Sequence, residues 1–375
     1  MNPAVAALEP SLIRKLHAAK RPGDLDLGLG QPVDTPEMAA FEAATAWVAA
    51  NGCPYTPNAG DPALRVAIAN TLGSSLGQMG NVVVTHGSQE AVYLSFKTVM
   101  NPSADEALIA GPAYGAYKKL CILEGLTGRM VPFGEADGFA PNAKDLLENL
   151  RPNTRLIVLA SPVNPTGRVW RHHEAAALCS ALLKRPGPPI YLLVDSVYES
   201  MIYIDDAANF PALYPHTLVA GSLSKSHALT GLRLGWLAGP TEVISEAVKV
   251  HQQVSTAAST FSQRVALEIL SAANPFAEPR ATWRRRRDRM NELLSASALE
   301  YAPLEGAFYA WIRLPPKWAG RSIEAANHLL EQSRVVVVPG VAFGAAGEGW
   351  LRLSYAGPGD VLNDAVARIV ECLLH

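Results

Sequence analysis

At 375 residues and 49% hydrophobic content, the chain is long enough to build two cores and to bury roughly three-quarters of its unfolded surface, which excludes a disordered or fibrous protein. Its 32 basic and 34 acidic residues leave a formal net charge of -2, too weak a field to gather nucleic acid or an anionic membrane, so the expected partner is a small molecule. Cys53, Cys121, Cys179 and Cys372 show no CxxC spacing, which disfavours zinc or any other metal framework as well as disulfides, and fits a reducing cytoplasm.

In chain order, the N-terminus carries Glu9, Pro10, Arg14 and Lys15 where a secretory signal would need an unbroken apolar run, and no stretch reaches membrane-spanning length. From Asn81 onward short apolar runs alternate with helical patterns: NVVVTHGSQEAVYLSFKTVM, EALIAGPAYGAYKKL, RLIVLASPVNPTG, IYLLVDSVYE and TLVAGSLSKSH. That alternation predicts an α/β fold, a mostly parallel sheet flanked by helices, with functional groups in the loops just past strand C-terminal ends. From Trp283 a charged helical segment leaves this domain, and AFYAWIRL and VVVVPGVAF read as strands of a second layer. The expected division is an N-terminal segment, 1–40, joining a smaller α+β domain, 281–375, with the large domain spanning 41–280. The basic run Arg284 to Arg287 reads as a solvated or interdomain helix face rather than a nucleic-acid patch, because the overall charge is balanced.

Candidate chemistry falls at the expected loops. VTHGSQEAV runs from strand through Gly87 into a helix, so its amides and the Ser88 hydroxyl offer an anion site at a helix N-terminus. Tyr114 follows a strand, where it serves either as a ring lying on a planar cofactor or as a core aromatic. In SPVNPTG, the proline after Asn164 restricts that residue's backbone and leaves the amide free to face a cleft. Asp195 ends an apolar strand and needs a cationic partner if buried, with the Tyr198 phenol three residues on. In GSLSKSHALTGLRLGW, Ser222 and Ser224 lead into Lys225, and Arg233 follows eight residues later. Two hydroxyls and a guanidinium suit one small anion, and a nearby cation favours the neutral, nucleophilic form of the lysine.

These motifs, together with GQP near the start, YTPNAGDPALRVAIA and LRLSYA, resemble the aspartate aminotransferase superfamily of fold-type I enzymes, which carry pyridoxal 5′-phosphate (PLP). The resemblance covers nearly the whole chain. It implies that Lys225 forms the internal aldimine, that Asp195 pairs with the ring nitrogen, that Asn164 and Tyr198 reach the ring's phenolic oxygen, and that Tyr114 stacks on the ring. The phosphate would be held by Ser88 with the amides of Gly87 and Gln89, by Ser222, Ser224 and Arg233, and by Tyr55 from a second subunit, which implies a homodimer with shared sites. Arg352 would grip the substrate's α-carboxylate, a task for which its planar fork suits it better than lysine. Gly30 and Asn164 would line the same pocket.

Two positions depart from the family pattern, Ser161 where asparagine is frequent and Ser196 where glutamate is, and neither removes a cofactor contact. Gln89 stands where some relatives that take dicarboxylic substrates carry lysine, and no other cation is evident for a side-chain carboxylate. Phe308, Tyr309 and Val341 fall at substrate-side positions and favour a neutral or aromatic amino acid, although core packing accounts for them equally well. The expected reaction is ping-pong transfer of an amino group between an amino acid and a 2-oxo acid, with Lys225 as acid and base. A carbon–sulfur β-eliminating lyase of the same fold is the nearest alternative. A PLP-sensing DNA-binding regulator would need a further domain for which the chain leaves no room.

Overall fold

The computed structural model describes every residue but Ser74 and the side chain of Asp360. Twelve strands form three sheets: β1 (Leu25–Asp26), β2 (Val82–Thr85), β3 (Glu106–Gly111), β4 (Thr127–Pro132), β5 (Thr154–Ala160), β6 (Tyr191–Asp195), β7 (Thr217–Gly221), β8 (Gly235–Ala238), β9 (Tyr309–Arg313), β10 (Val335–Val336), β11 (Val338–Pro339) and β12 (Trp350–Ser354). The main sheet runs β2-β8-β7-β6-β5-β3-β4. β7 through β4 pair in parallel, and β8 is antiparallel to both its neighbours.

The composition of these strands explains their depth. Leu156 and Val158 of β5 face one apolar cluster, while Ile157 and Leu159 face another. Helices therefore cover both faces, as a parallel sheet requires. On one face Ala91 and Leu94 of the helix Ser88–Val99 meet Val243, Ile244 and Ala247 of the helix Thr241–Ser255. This contact lies directly behind the turn that begins at His86.

The second layer differs in detail from the sequence expectation. The run Val335 to Val338 is not one strand: Val335–Val336 pairs in parallel with β1, whereas Val338–Pro339 pairs antiparallel with β12, the centre of the sheet β11-β12-β9. Four successive buried valines satisfy both sheets, so hydrophobicity alone carried no mark of the switch at Val337. The β1–β10 pairing joins the N-terminal segment to the C-terminal part of the chain. The basic helix, Ala277–Ser295, buries Trp283, Met290 and Leu294. Its Arg286 bonds Asp34 at 2.5 and 3.0 Å and stands 4.9 Å over the Trp283 ring, so one arginine of the run ties the N-terminal segment down. Among the described residues no helix is long and apolar enough to cross a membrane.

Candidate active site

The ends of β2, β3, β5, β6 and β7 and the strand β12 surround a cavity of about 560 Å³. A larger cavity, about 820 Å³, lies beyond Ser222 and Trp236 and has few convergent titratable groups. Chemistry rather than size therefore selects the smaller one, which gathers Ser88, Gln89, Tyr114, Asn164, Asp195, Tyr198, Ser224, Lys225, Arg233 and Arg352, all singled out in the sequence, with Gly30 at its wall.

One end is built for an anion. Gly87 caps the helix Ser88–Val99 with φ of 75°, a conformation that strains L side chains, and a Cβ there would lie 2.6 Å from Arg233 Nη2. Arg233 is itself left-handed, at φ 51°, which aims its guanidinium back at the turn. Gly87 contributes conformation and not a donor: its N–H is engaged by Thr85 O at 2.9 Å, correcting the expectation that its amide faces the anion. The amides of Ser88 and Gln89 donate to no acceptor among the described residues and remain for a ligand. Ser222 also departs from expectation. Its Oγ lies 2.7 Å from both Leu234 O and Ser224 Oγ and accepts from Ser224 N at 2.9 Å, so its hydroxyl is committed internally while Ser224 lines the cavity.

At the centre, Lys225 Nζ donates to Gly30 O at 2.7 Å. Burial and the charges of Arg352, Arg233 and Arg14 bring its amine down to about 8, with Asp195 opposing. Asp195 is buried and accepts from Tyr117 Oη at 2.6 Å and from Val197 N at 3.3 Å. Burial still holds its carboxyl above the ordinary range, because a phenol, an amide and the more distant Lys225 do not replace its lost hydration. Tyr198 Oη pairs with Tyr309 Oη at 2.7 Å, and burial first, then that neighbour, raises the Tyr198 phenol, while burial raises that of Tyr309.

Arg352 is 2% exposed, yet lines the cavity. Its Nη1 donates to Asn164 Oδ1 at 2.8 Å and its Nη2 to Gly28 O at 2.5 Å, it stacks 4.3 Å from the Tyr309 centroid, and its buried Nε has no partner. Asn164 Oδ1 thereby orients the arginine, while no described residue accepts from the Asn164 amide nitrogen. Gly30 must be glycine because a Cβ would collide with Tyr309 Oη. Tyr114 is 38% exposed and meets Tyr117 edge to face at 5.8 Å.

Tyr55 is not gathered in. It is 87% exposed and absent from the cavity wall of its own chain. Conversely, two wall residues were missed as site residues. Tyr117, which supports Asp195, lies 78 positions away from it, and only its place in GPAYGAY hinted at a role. Arg14, on the helix Leu12–Ala18, reaches the cavity from the N-terminal segment and has no hydrogen-bond or ion-pair partner among the described residues. It is a further cation beside Lys225, Arg233 and Arg352 that spacing could not reveal.

Comparison with known proteins agrees with this architecture. The family model described as Aminotransferase class I and II matches residues 24–369. An aspartate aminotransferase of Pyrococcus horikoshii is 33% identical, with 98% of this chain and 96% of the relative covered. Among solved structures, an aspartate aminotransferase from Thermus thermophilus with maleate superposes with a TM-score of 0.92 at 31% identity, covering 100% of this chain and 99% of that one. An aromatic aminotransferase from Pyrococcus horikoshii gives 0.86 at 28% identity, covering 96% and 98%.

Proposed function

The chain belongs to the aminotransferase class I and II family, and on that footing we propose that the cavity around Lys225 holds PLP and moves an amino group between an amino acid and a 2-oxo acid. Aminotransferase activity itself follows from the family and from relatives aligned over the whole length, which do not favour the lyase. The observation that carries the finer reading is the meeting of Lys225, Asp195 and Arg352 on one cavity with an anion cradle at its end.

The residues present fit the cofactor. Free amides at a helix start, the Ser224 hydroxyl and Arg233 suit a phosphate dianion, with Ser222 bracing Ser224. Asp195, buried and short of a cation, suits a protonated ring nitrogen, and a charge-assisted bond there contributes about 1.5 to 3 kcal/mol. Tyr114 offers its ring to the cofactor's face, while Asn164 and Tyr198 offer donors to the ring's oxygen. When bound, PLP supplies an aldehyde for primary amines and a ring that withdraws the electron pair released at the substrate's α-carbon.

The remaining work belongs to the chain. Lys225, with an amine at about 8, keeps roughly a tenth of it neutral at pH 7, enough to act as nucleophile toward the aldehyde; once the substrate's amine displaces it, the freed amine would take the proton leaving the substrate's α-carbon. Asp195 would be held ionised by a protonated ring nitrogen, the cation that its buried carboxyl lacks. Arg352 binds the α-carboxylate through a fork that Asn164 and Gly28 keep oriented.

For the donor, Tyr309 still supports an aromatic side chain, and Arg14 adds support for an acidic one, in keeping with the relatives named for aspartate. We further propose a homodimer in which Tyr55, exposed on its own chain, completes the partner's phosphate site. A cytoplasmic location is supported by four free thiols, two of them buried in separate clusters. The division into 41–280 and a unit made of 1–40 with 281–375 is supported by the β1–β10 pairing.

The test is a half-reaction screen. The PLP-loaded protein is mixed with each amino acid in turn and the pyridoxamine spectrum is followed, then reversed with 2-oxo acids. Conversion by an acidic or aromatic donor is expected. Release of pyruvate and ammonia from cysteine conjugates without any 2-oxo acid would contradict it.

A further inference from the structure

Behind the anion cradle a carboxylate only 10% exposed takes part in a network that the chemistry above does not use. Glu90, third residue of the helix Ser88–Val99, turns back so that its Oε2 accepts from His86 N at 2.6 Å. This bond closes the chain around Gly87 and fixes the turn that presents the Ser88 and Gln89 amides. Its other oxygen accepts from His251 Nδ1 at 3.0 Å and from Ser255 Oγ at 2.8 Å, both on the helix Thr241–Ser255. His86 Nδ1 stands 3.3 Å from Oε2.

Two features of this cluster need explaining. A carboxylate within the first turn of an anion-binding helix opposes its ligand, since like charges repel strongly where water is scarce. Burial pushes the Glu90 carboxyl up, yet the donors around it, His251 first and then His86 N–H and Ser255, outweigh burial and bring it down to about 2, so the charge is present. His251, meanwhile, is 0% exposed and uses only one ring nitrogen: its buried Nε2 has no partner. A fully buried imidazole that forfeits one hydrogen bond is retained against a desolvation penalty. The neighbour that needs it is Glu90.

We propose that His251, with Ser255, is a positioning residue for the phosphate of the cofactor: by donating to Glu90 it draws that charge toward the helix Thr241–Ser255 and leaves the cradle to the phosphomonoester. Glu90 is thus a brace that fixes the turn, and His251 is what makes a charged brace compatible with an anion. With a ring proton on Nδ1 the donor and acceptor pattern of the cluster is satisfied at Glu90 and open only at Nε2. This role rests on the cavity being a PLP site.

Pyridoxal separates it from a merely structural role, because it has the ring and aldehyde of PLP and lacks the phosphate. Dissociation constants of both compounds are measured by equilibrium dialysis against the lysine-bearing apoprotein, for wild type and for His251→Ala, Ser255→Ala, His251→Asn and the double substitution His251→Ala with Glu90→Gln. Loss of the donors should lower the preference for PLP over pyridoxal by about tenfold in His251→Ala and less in Ser255→Ala, about the worth of one charge at a helix terminus in a partly buried site. His251→Asn, whose amide can replace Nδ1–H, should recover most of the preference. So should the double substitution, which removes the uncompensated charge while keeping an acceptor for His86 N–H. An unchanged ratio, or an equal loss for both compounds, overturns the proposal. If His251→Ala does not fold, Ser255→Ala decides by the same ratio. Wild-type protein that binds PLP no better than pyridoxal would overturn the cofactor reading itself, a distinct result.

Discussion

The Lys225 amine is shifted toward neutrality, and the cause is local. Burial comes first, then three arginines that converge on the cavity, together bringing the amine from the ordinary 10.5 to about 8. In the apoprotein, the rate at which a small amine reagent labels Lys225, followed by peptide mass, should therefore climb as pH rises through about 8 and flatten above it, while surface lysines continue to gain reactivity. The linkage has a definite sign. A depressed lysine contributes stability that is fully present above about 10.5 and is lost as pH falls toward about 8, because the unfolded chain holds the proton more tightly. Arg14 permits a second test at this scale: Arg14→Ala should raise the KM of dicarboxylic donors about tenfold and leave neutral donors within about twofold, as expected for one lost charge-assisted contact. Equal effects on both would remove Arg14 from the substrate's side chain. That Lys225, Asp195, Ser224 and Arg233 meet at one cavity was legible because residue type and strand-end placement mark them. Tyr117 and Arg14 were not, since each reaches the site from a distant segment through packing.

At the scale of elements, the site depends on how closely β2 and β8 approach the helix that follows β2. Thr85 pairs with Gly235, and a Cβ on Gly235 would collide with the backbone nitrogen of Ser88. A backbone atom cannot swing aside as a side chain can. Gly235→Ala should destabilise the fold by about 1 to 3 kcal/mol in urea unfolding with an unchanged m-value, and weaken PLP binding through the displaced helix start. A variant of wild-type stability would show that the turn has slack. The alternating apolar runs announced this sheet well, and four of its parallel strands deliver the expected residues at their C-terminal ends. The valine run was misread as one strand because period and composition are alike on both sides of Val337, and only the competing edges of β1 and β12 decide the break. Ser222 and Gly87 were assigned to the ligand from spacing and family resemblance, whereas Leu234 O, brought close by folding, and Thr85 O, two residues back in the turn, take up their polar groups.

The whole molecule is proposed to function in pairs, and this too has a direct consequence. Protein carrying Lys225→Ala lacks the amine in its own cavity, and protein carrying Tyr55→Ala lacks the phenol it would lend. If sites are shared, unfolding and refolding the two together should create hybrid dimers with one intact site and raise activity well above the sum of the separate preparations. No gain on mixing would confine each site to a single chain. Such an assembly was suggested only by resemblance, since Tyr55 bears no mark of the surface that would cover it. In the proposed function the chemistry begins from the nitrogen of Lys225. Borohydride treatment of the PLP-loaded protein followed by peptide mapping tests it most directly: the reduced pyridoxyl mass is expected on the peptide containing Lys225, and its appearance on another lysine, or on none, would contradict that role.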